Sequence, residues 1–258
     1  MPSFLHLLST IQCVTRLTMR LSIIIPAFNE EKELPHCLAS VNEARQRLPA
    51  EDIEVIVCDN NSTDETPTVA QAAGATVVFE PINQISRARN TGARAARGHW
   101  LLFIDADSRL HPENLRRVLE ITHSSSTVIG GGATVDVIGG PWWARTASWF
   151  WRAISVIGKI AAGSFLFCRA DVFKQLHGFS HELFAAEEID FSRRLKSWAH
   201  QHRCLFVILT GRPHLSSARK FRLYSPREFI RLGLLALLQY RSLVRNRDRL
   251  GFFYEGRR

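Results

Sequence analysis

Leu21-Ser22-Ile23-Ile24-Ile25-Pro26-Ala27-Phe28-Asn29 is the stretch that decides the fold. Leu21 to Ile25 is short, apolar and rich in β-branched residues, and Pro26 stops it, so it reads as a buried strand. From Glu30 to Arg47 the apolar residues fall at Leu34, Cys37, Leu38 and Val41, which is helical spacing. The turn Pro26-Ala27-Phe28-Asn29 therefore joins a strand to a helix. The pattern repeats: Ile53 to Cys58 reads as a strand, Asn60-Asn61-Ser62 as a turn, and Ser62 or Thr63 as the cap of a helix running to Ala73. Ala75 to Phe79 and Trp100 to Ile104 follow as strands, with a helix over Gln84 to Ala96 between them. This alternation predicts an α/β fold with a mostly parallel central sheet and helices on both faces. Ligands of such sheets bind beyond the carboxyl ends of the strands, so the polar residues that terminate strands are the ones to examine.

Past Pro112 the regularity loosens. Helices are expected over Pro112 to His123, Pro141 to Ile157 and Glu187 to Trp198, and strands over Val128 to Val137, Gly163 to Cys168 and Cys204 to Leu209. A long basic and apolar helix is expected from Pro226 to Arg245. With no internal repeat or linker, the expected organisation is an extension over 1–19, one domain over 20–210, and a basic helical extension over 211–258. Met19 is an alternative start.

The chain carries 33 Lys and Arg against 24 Asp and Glu, a formal charge of +9, and its 46% apolar share excludes a disordered chain. Position matters more than the total. Residues 1–202 hold 20 basic against 21 acidic side chains, a net of −1, whereas the last 56 residues hold 13 against 3, a net of +10. A basic coat over the whole domain is thereby disfavoured, and no nucleic-acid partner is expected. The five cysteines are odd in number and lack a C-x-x-C pair, which points to free thiols in a reducing compartment rather than zinc or a disulfide framework. No apolar run reaches the ~18 residues that cross a bilayer, and no signal peptide is evident.

Three groups of acids stand where strands end or helices begin. Asp105-Ala106-Asp107 directly follows Leu101-Leu102-Phe103-Ile104, and two carboxylates one residue apart make a hard oxygen site suited to Mg²⁺ or Mn²⁺ bridging phosphates. For a lone D-x-D a pair of turn carboxylates is the commoner explanation; its place after a strand in an α/β series favours function. Asp59 ends the second strand, where an Asx turn is the plain alternative. Glu187-Glu188 opens a helix, where the macrodipole alone explains acids, yet one of them could act as a general base toward a hydroxyl.

Taken in order, Ser22-Ile23-Ile24-Ile25-Pro26-Ala27-Phe28-Asn29-Glu30-Glu31, Val57-Cys58-Asp59-Asn60-Asn61-Ser62-Thr63-Asp64, Arg87-Ala88-Arg89-Asn90-Thr91-Gly92, Phe103-Ile104-Asp105-Ala106-Asp107 and Glu187-Glu188-Ile189-Asp190-Phe191-Ser192-Arg193-Arg194-Leu195 resemble the family 2 glycosyltransferases. These are inverting, nucleotide-sugar-dependent enzymes of the GT-A fold. The resemblance covers roughly two thirds of the chain, from Leu21 to Leu195. It implies that Pro26, Ala27 and Glu30 hold the nucleoside, that Asp59 contacts the base and that Arg89 lies near the donor phosphates or sugar. Asp105 and Asp107 would bind nucleotide sugar and metal, with Asp107 the direct ligand; His214 could complete the metal shell as C-terminal histidines do in some GT-A enzymes, with a solvent-facing His the plainer alternative. Arg219 and Lys220 would meet the donor diphosphate. Glu188 falls where the family generally has Asp as catalytic base, which makes Glu187 a competitor for the role. Gly163 and Ser164 match a strand lining the acceptor side. Processive members carry Q-x-x-R-W after the base; neither Gln201 nor Gln239 opens one, so one sugar per encounter is implied.

The rival enzyme class, a nucleotidyltransferase, would carry a Gly-rich basic phosphate loop after the first strand, and Pro26-Ala27-Phe28-Asn29 is not one. A non-catalytic basic protein binding nucleic acid or membrane leaves the strand-end acids without purpose. Between Trp142 and Lys159, Arg145, Arg152 and Lys159 recur every seventh residue among tryptophans, which suits either a bilayer interface or a core helix with snorkelling cations. With the basic C-terminus, this leads to an expected peripheral contact with anionic membrane, a lipid-linked or cell-envelope acceptor, and a cytoplasmic site at the inner membrane face.

Overall fold

The computed structural model describes residues 20–161 and 164–219. Fifteen elements follow one another there, and eight strands form one sheet in the order β3-β2-β1-β4-β7-β6-β8-β5. In chain order they are β1 (Leu21–Ala27), α1 (Leu34–Gln46), β2 (Ile53–Asp59), α2 (Thr66–Ala72), β3 (Thr76–Phe79), α3 (Ile85–Ala95), β4 (Trp100–Ile104), β5 (Ser108–Arg109), α4 (Pro112–Ser124), β6 (Val128–Ile138), α5 (Trp142–Gly158), β7 (Phe165–Arg169), α6 (Ala170–Gln175), α7 (Glu187–Gln201) and β8 (Leu205–Ser217).

The expected parallel sheet holds for β3, β2, β1 and β4. Beyond β4 the sheet is mixed: β7 runs antiparallel to β4 and β6, while β8 runs parallel to β6 and antiparallel to β5. Alternation along β1 splits the core between the two faces. Leu21, Ile23 and Ile25 pack with Leu34, Leu38 and Val41 of α1 and with Val118 of α4, whereas Ile24 packs on the other face with Phe103, Phe191 and Leu195. Both faces are thus covered, because successive side chains of a strand point to opposite sides.

Three differences from the sequence reading have physical reasons. β1 runs through Pro26 to Ala27 because its pairing with β4 ends at Ile24↔Phe103, leaving Pro26 a strand neighbour on one side only, where a missing N–H is tolerated. Helix α2 begins at Thr66, not at Ser62 or Thr63, and Asp64 accepts from the Thr66 N–H at 3.0 Å. β8 runs on to Ser217, so the expected domain edge at 210 falls inside a strand held by both β6 and β5. β5 and α6 were not expected; at two and six residues they are too short to show periodicity. Residues 1–19, Gly163, Lys220 and the helix expected over Pro226 to Arg245 lie outside the described residues, as do the side chains of Trp142, Arg145 and Trp151. Among the described residues Cys37, Cys58, Cys168 and Cys204 are free thiols.

Candidate active site

The carboxyl edge of the parallel strands gathers the acids. Ala27 and Asp59 are register partners at the ends of β1 and β2, and β4 delivers Asp105 one residue past Ile104. The loop after β1 is sewn to the loop after β2. The Asn29 N–H donates to Ser62 Oγ at 2.9 Å, the Thr63 N–H to Asn29 Oδ1 at 2.8 Å, and the Glu30 N–H to Thr66 Oγ1 at 2.7 Å. Asn29 and Asn61 take left-handed backbone, with φ of 52° and 66°, a conformation that Asn tolerates better than most residues. Asp59 does form the local turn that its sequence suggested, accepting from the Ser62 N–H at 3.2 Å, while sitting buried at the strand end.

Two guanidinium groups organise the acids. Arg89, on α3, is fully buried; its Nη1 lies 2.6 Å from Glu187 Oε1 and 3.8 Å from Glu188 Oε2, and its Nη2 lies 2.9 Å from Asp105 Oδ1. The side chain passes over the Phe179 ring at 5.3 Å. Burial favours loss of its proton, but the three carboxylates outweigh burial and hold Arg89 charged. Arg219 forks onto both oxygens of Glu30, at 3.0 and 2.7 Å, and its Nη2 lies 3.8 Å from Asp107 Oδ2. Asp105 and Asp107 belong to different networks, joined by the buried Ala106 and by a tight turn in which the Ser108 N–H donates to Asp105 O.

The two glutamates of α7 are not equivalent. The Glu187 side chain is 3% exposed and inserted into the Arg89 pair, whereas that of Glu188 is 21% exposed. Burial, reinforced by Glu188, pushes the Glu187 carboxyl well above the ordinary carboxylate range, and Arg89 offsets this only in part because it is shared with Asp105. Both stand at the N-terminus of α7, whose first N–H groups favour negative charge there.

Among the expected residues the structure brings together Glu30, Asp105, Asp107, Glu187, Glu188, Arg89 and Arg219. Pro26 and Ala27 lie at the same edge on β1. Ser164 is buried just before β7. His214 is a correction. It lies three residues along β8 from Ser217, whose N–H reaches Asp107 O, a separation of ~10 Å at strand rise. The ring is fully buried against Phe165, with centroids 5.0 Å apart, and burial lowers its pKa to about 3, so a solvent-facing imidazole is also excluded. The role expected for Arg219 changes as well: its fork is engaged by Glu30.

Sequence reasoning missed Gln84 and Asn90, which hold the loop leading to α7. Gln84 Nε2 donates to the carbonyls of His181 and Leu183 at 2.7 and 3.0 Å. Asn90 donates to Phe179 O at 2.8 Å and accepts from the Phe179 N–H at 2.9 Å. A signal was present: Ser86, Arg89 and Asn90 share the buried face of α3 with Ala88, Gly92 and Ala93, and polar groups on a small-residue face need specific partners. Gly92 lets that face approach β1, since a Cβ there would stand 2.5 Å from Ile24 Cγ2.

A divalent cation fits the donor set. Among the described residues no three His, Cys, Asp or Glu side chains cluster as a metal cage. A nucleotide-bound Mg²⁺ or Mn²⁺ asks for less, one or two carboxylates with phosphate oxygens and water supplying the rest. Asp107 and Asp105 supply that number, within a site where five carboxyl groups face two guanidiniums.

Comparison with known proteins gives the family and the fold. The model of Glycosyl transferase family 2 matches residues 22–180, more than half of the chain. The chain belongs to that family. An uncharacterized glycosyltransferase of Mycobacterium tuberculosis is 36% identical over 134 residues, which cover 51% of this chain and 58% of the relative. TarS of S. aureus (residues 1–349), crystallised with UDP, superposes with a TM-score of 0.60 at 21% identity, over 87% of this chain and 66% of the other. Glucosyl-3-phosphoglycerate synthase of M. tuberculosis, in complex with Mn²⁺, UDP and phosphoglyceric acid, gives a TM-score of 0.59 at 17% identity, over 88% and 80%. At such identities the structural likeness shows the fold, a GT-A α/β architecture. The chain spans about three fifths of the length of the curated relatives it matches.

Proposed function

We propose that the chain is a metal-dependent, inverting glycosyltransferase that moves one sugar from a nucleoside-diphosphate sugar to an acceptor hydroxyl. The observation that carries this reading is the division of labour at the start of α7: Glu187 is locked into the buried Arg89 pair, and Glu188 beside it keeps a partly exposed side chain. Glu188 Oε takes the proton of the acceptor hydroxyl, whose oxygen attacks the anomeric carbon from the face opposite the nucleotide. The longer Glu, where the family generally has Asp, is accommodated because Glu187 and Arg89 anchor the first turn of α7. Asp59 and Glu30 hold the nucleoside side of the donor, with Glu30 fixed by the Arg219 fork and by the Thr66 hydroxyl on its N–H. Asp107, with Asp105 beside it, holds the cation, which when bound neutralises the departing diphosphate. The acceptor is a lipid-linked or cell-envelope glycan in this reading, supported by large apolar side chains left exposed on α5.

A panel of nucleotide sugars with Mn²⁺ or Mg²⁺, scored by thermal shift and by donor hydrolysis, tests the reading. Stabilisation by at least one nucleoside diphosphate is expected, and none at all refutes the donor site. Glu188→Gln is expected to keep donor binding and lower transfer by roughly 10² to 10⁴. If Glu187→Gln does this instead, with stability unchanged, the roles are reversed.

A further inference from the structure

Helix α5 leaves large apolar side chains exposed. Among its described side chains those turned to the sheet are small: Ala144, Ser148 and Ser155 are buried, with Ser148 Oγ donating to Val135 O and Asp136 Oδ1, and Ser155 Oγ donating to Ile160 O. The opposite side carries Phe150, Ala153, Ile154 and Ile157, at the i, i+3, i+4, i+7 spacing of one stripe, flanked by Trp149 and Val156. Trp149 is 62% exposed, Phe150 58%, Ile154 51% and Ile157 83%, and Trp149 and Phe150 pack edge to face on each other at 5.2 Å. A helix on a water-soluble domain shows the reverse arrangement, with its large apolar side chains on the core. Five large hydrophobics on three turns form a concentrated patch, and such patches mark interaction surfaces.

Charge decides the partner. No Asp or Glu occurs between Asp136 and Asp171, while Arg145, Arg152, Lys159 and Arg169 do. Arg152 is half-buried on the flank of the apolar stripe, and Lys159 is exposed where the helix ends in a left-handed cap. The chain leaves β8 beside the other end of α5, where the Ala218 N–H donates to Ile138 O. The sequence that follows, 220–258, carries ten basic against three acidic residues. Apolar and aromatic side chains rimmed by cations, on a helix that itself carries no acid, suit the headgroup boundary of an anionic bilayer. No described helix is long and apolar enough to cross one.

We infer that α5 docks the protein on an anionic lipid surface, with Phe150, Ile154 and Ile157 entering the acyl boundary and Arg152 and Lys159 meeting headgroup phosphates. The far end of α5 is tied to α7, the helix that opens with Glu187 and Glu188, since Lys196 Nζ donates to Gly158 O at 2.6 Å. Docking therefore holds α7, which carries Glu188, against the docked helix. That consequence, an acceptor met at the bilayer, rests on the proposed transferase; the docking itself does not.

The test is flotation of the full chain with vesicles of phosphatidylcholine and phosphatidylglycerol, against phosphatidylcholine alone. Flotation with the anionic vesicles is expected. Phe150→Glu with Ile157→Glu should lower the bound fraction about tenfold or more, because two exposed side chains lose their apolar contact. Melting temperature and the thermal shift with nucleoside diphosphate should stay at wild-type values. Indifference of the wild type to anionic lipid overturns the inference. So does undiminished flotation of the double variant, which would leave binding to the basic sequence alone. A lipid-free dimer that the variant converts to monomer also overturns it, by assigning the face to a second copy. If no nucleotide binds while flotation persists, the transferase reading fails and the docking stands.

Discussion

Replacing Arg89 by Met would remove the guanidinium that serves three carboxylates. Arg89 is 2% exposed and lies 2.6 Å from Glu187, itself buried, and 2.9 Å from Asp105. Breaking a buried pair by deleting one partner costs about 3–5 kcal/mol, since the remaining charge is left in a poorly solvating site. In a chain of this size that corresponds to a fall in melting temperature of roughly 10 °C. The loss must also depend on pH. Burial and Glu188 already raise the Glu187 carboxyl from 4.5 to about 8, and Arg89 opposes them. A carboxyl whose pKa is higher in the folded state than in the unfolded one binds its proton on folding, so the stability it contributes is present at low pH and is lost as pH rises through the folded value. Without Arg89 that value rises further, so both folded proteins keep Glu187 protonated up to about pH 8, and the part of the loss that comes from Glu187 opens above it, where the wild-type carboxyl ionises beside Arg89 and the variant's does not. Thermal unfolding followed by circular dichroism from pH 6 to 10 measures this. Glu187→Gln added to Arg89→Met should remove the extra loss above pH 8, because that position then no longer titrates. Equal destabilisation by Arg89→Met at pH 6 and pH 10 would refute the assignment of Arg89 as the counter-ion of Glu187.

Asp107→Ala should abolish the metal dependence of nucleoside-diphosphate stabilisation, read as a thermal shift with and without Mn²⁺; a shift of unchanged size and metal dependence would remove Asp107 from the cation site. His214 is neutral and enclosed, with its pKa lowered from 6.5 to about 3 by burial. A group that protonates more readily when unfolded drains stability as pH falls below its unfolded value, so His214→Phe should lessen the loss of stability between about pH 6.5 and 4. An unchanged acid profile in a folded His214→Phe protein would show that the ring does not titrate on unfolding.

The alternation of strand and helix from Leu21 to Ile104 was legible because each element carries its own period, and β4 was bounded to the residue. The strand-end acids were legible for the same reason: once the strands are placed, Asp59 and Asp105 must lie at one edge. β8 was cut short at Leu209 because Gly211 and Pro213 look like punctuation, and only its pairing with β6 and β5 carries it through them. The family resemblance offers His214 as a ligand, yet nothing local says which way it faces; the sheet turns it into the core against Phe165.

Local sequence, then, determined the class of fold, the edge at which chemistry collects and the identity of the acids there. Only the tertiary structure decided how those acids are divided. Glu187 and Glu188 are neighbours with the same side chain, and nothing local distinguishes them. One is buried because α3 brings Arg89 to it from 98 positions away, and the other stays partly exposed. The same holds for Arg219, tied to Glu30 across 189 positions, and for α5, whose helical spacing was readable while the side facing water was not. Periodicity along the chain reports which residues share a face; which face the rest of the molecule covers is settled by contacts between elements far apart in sequence.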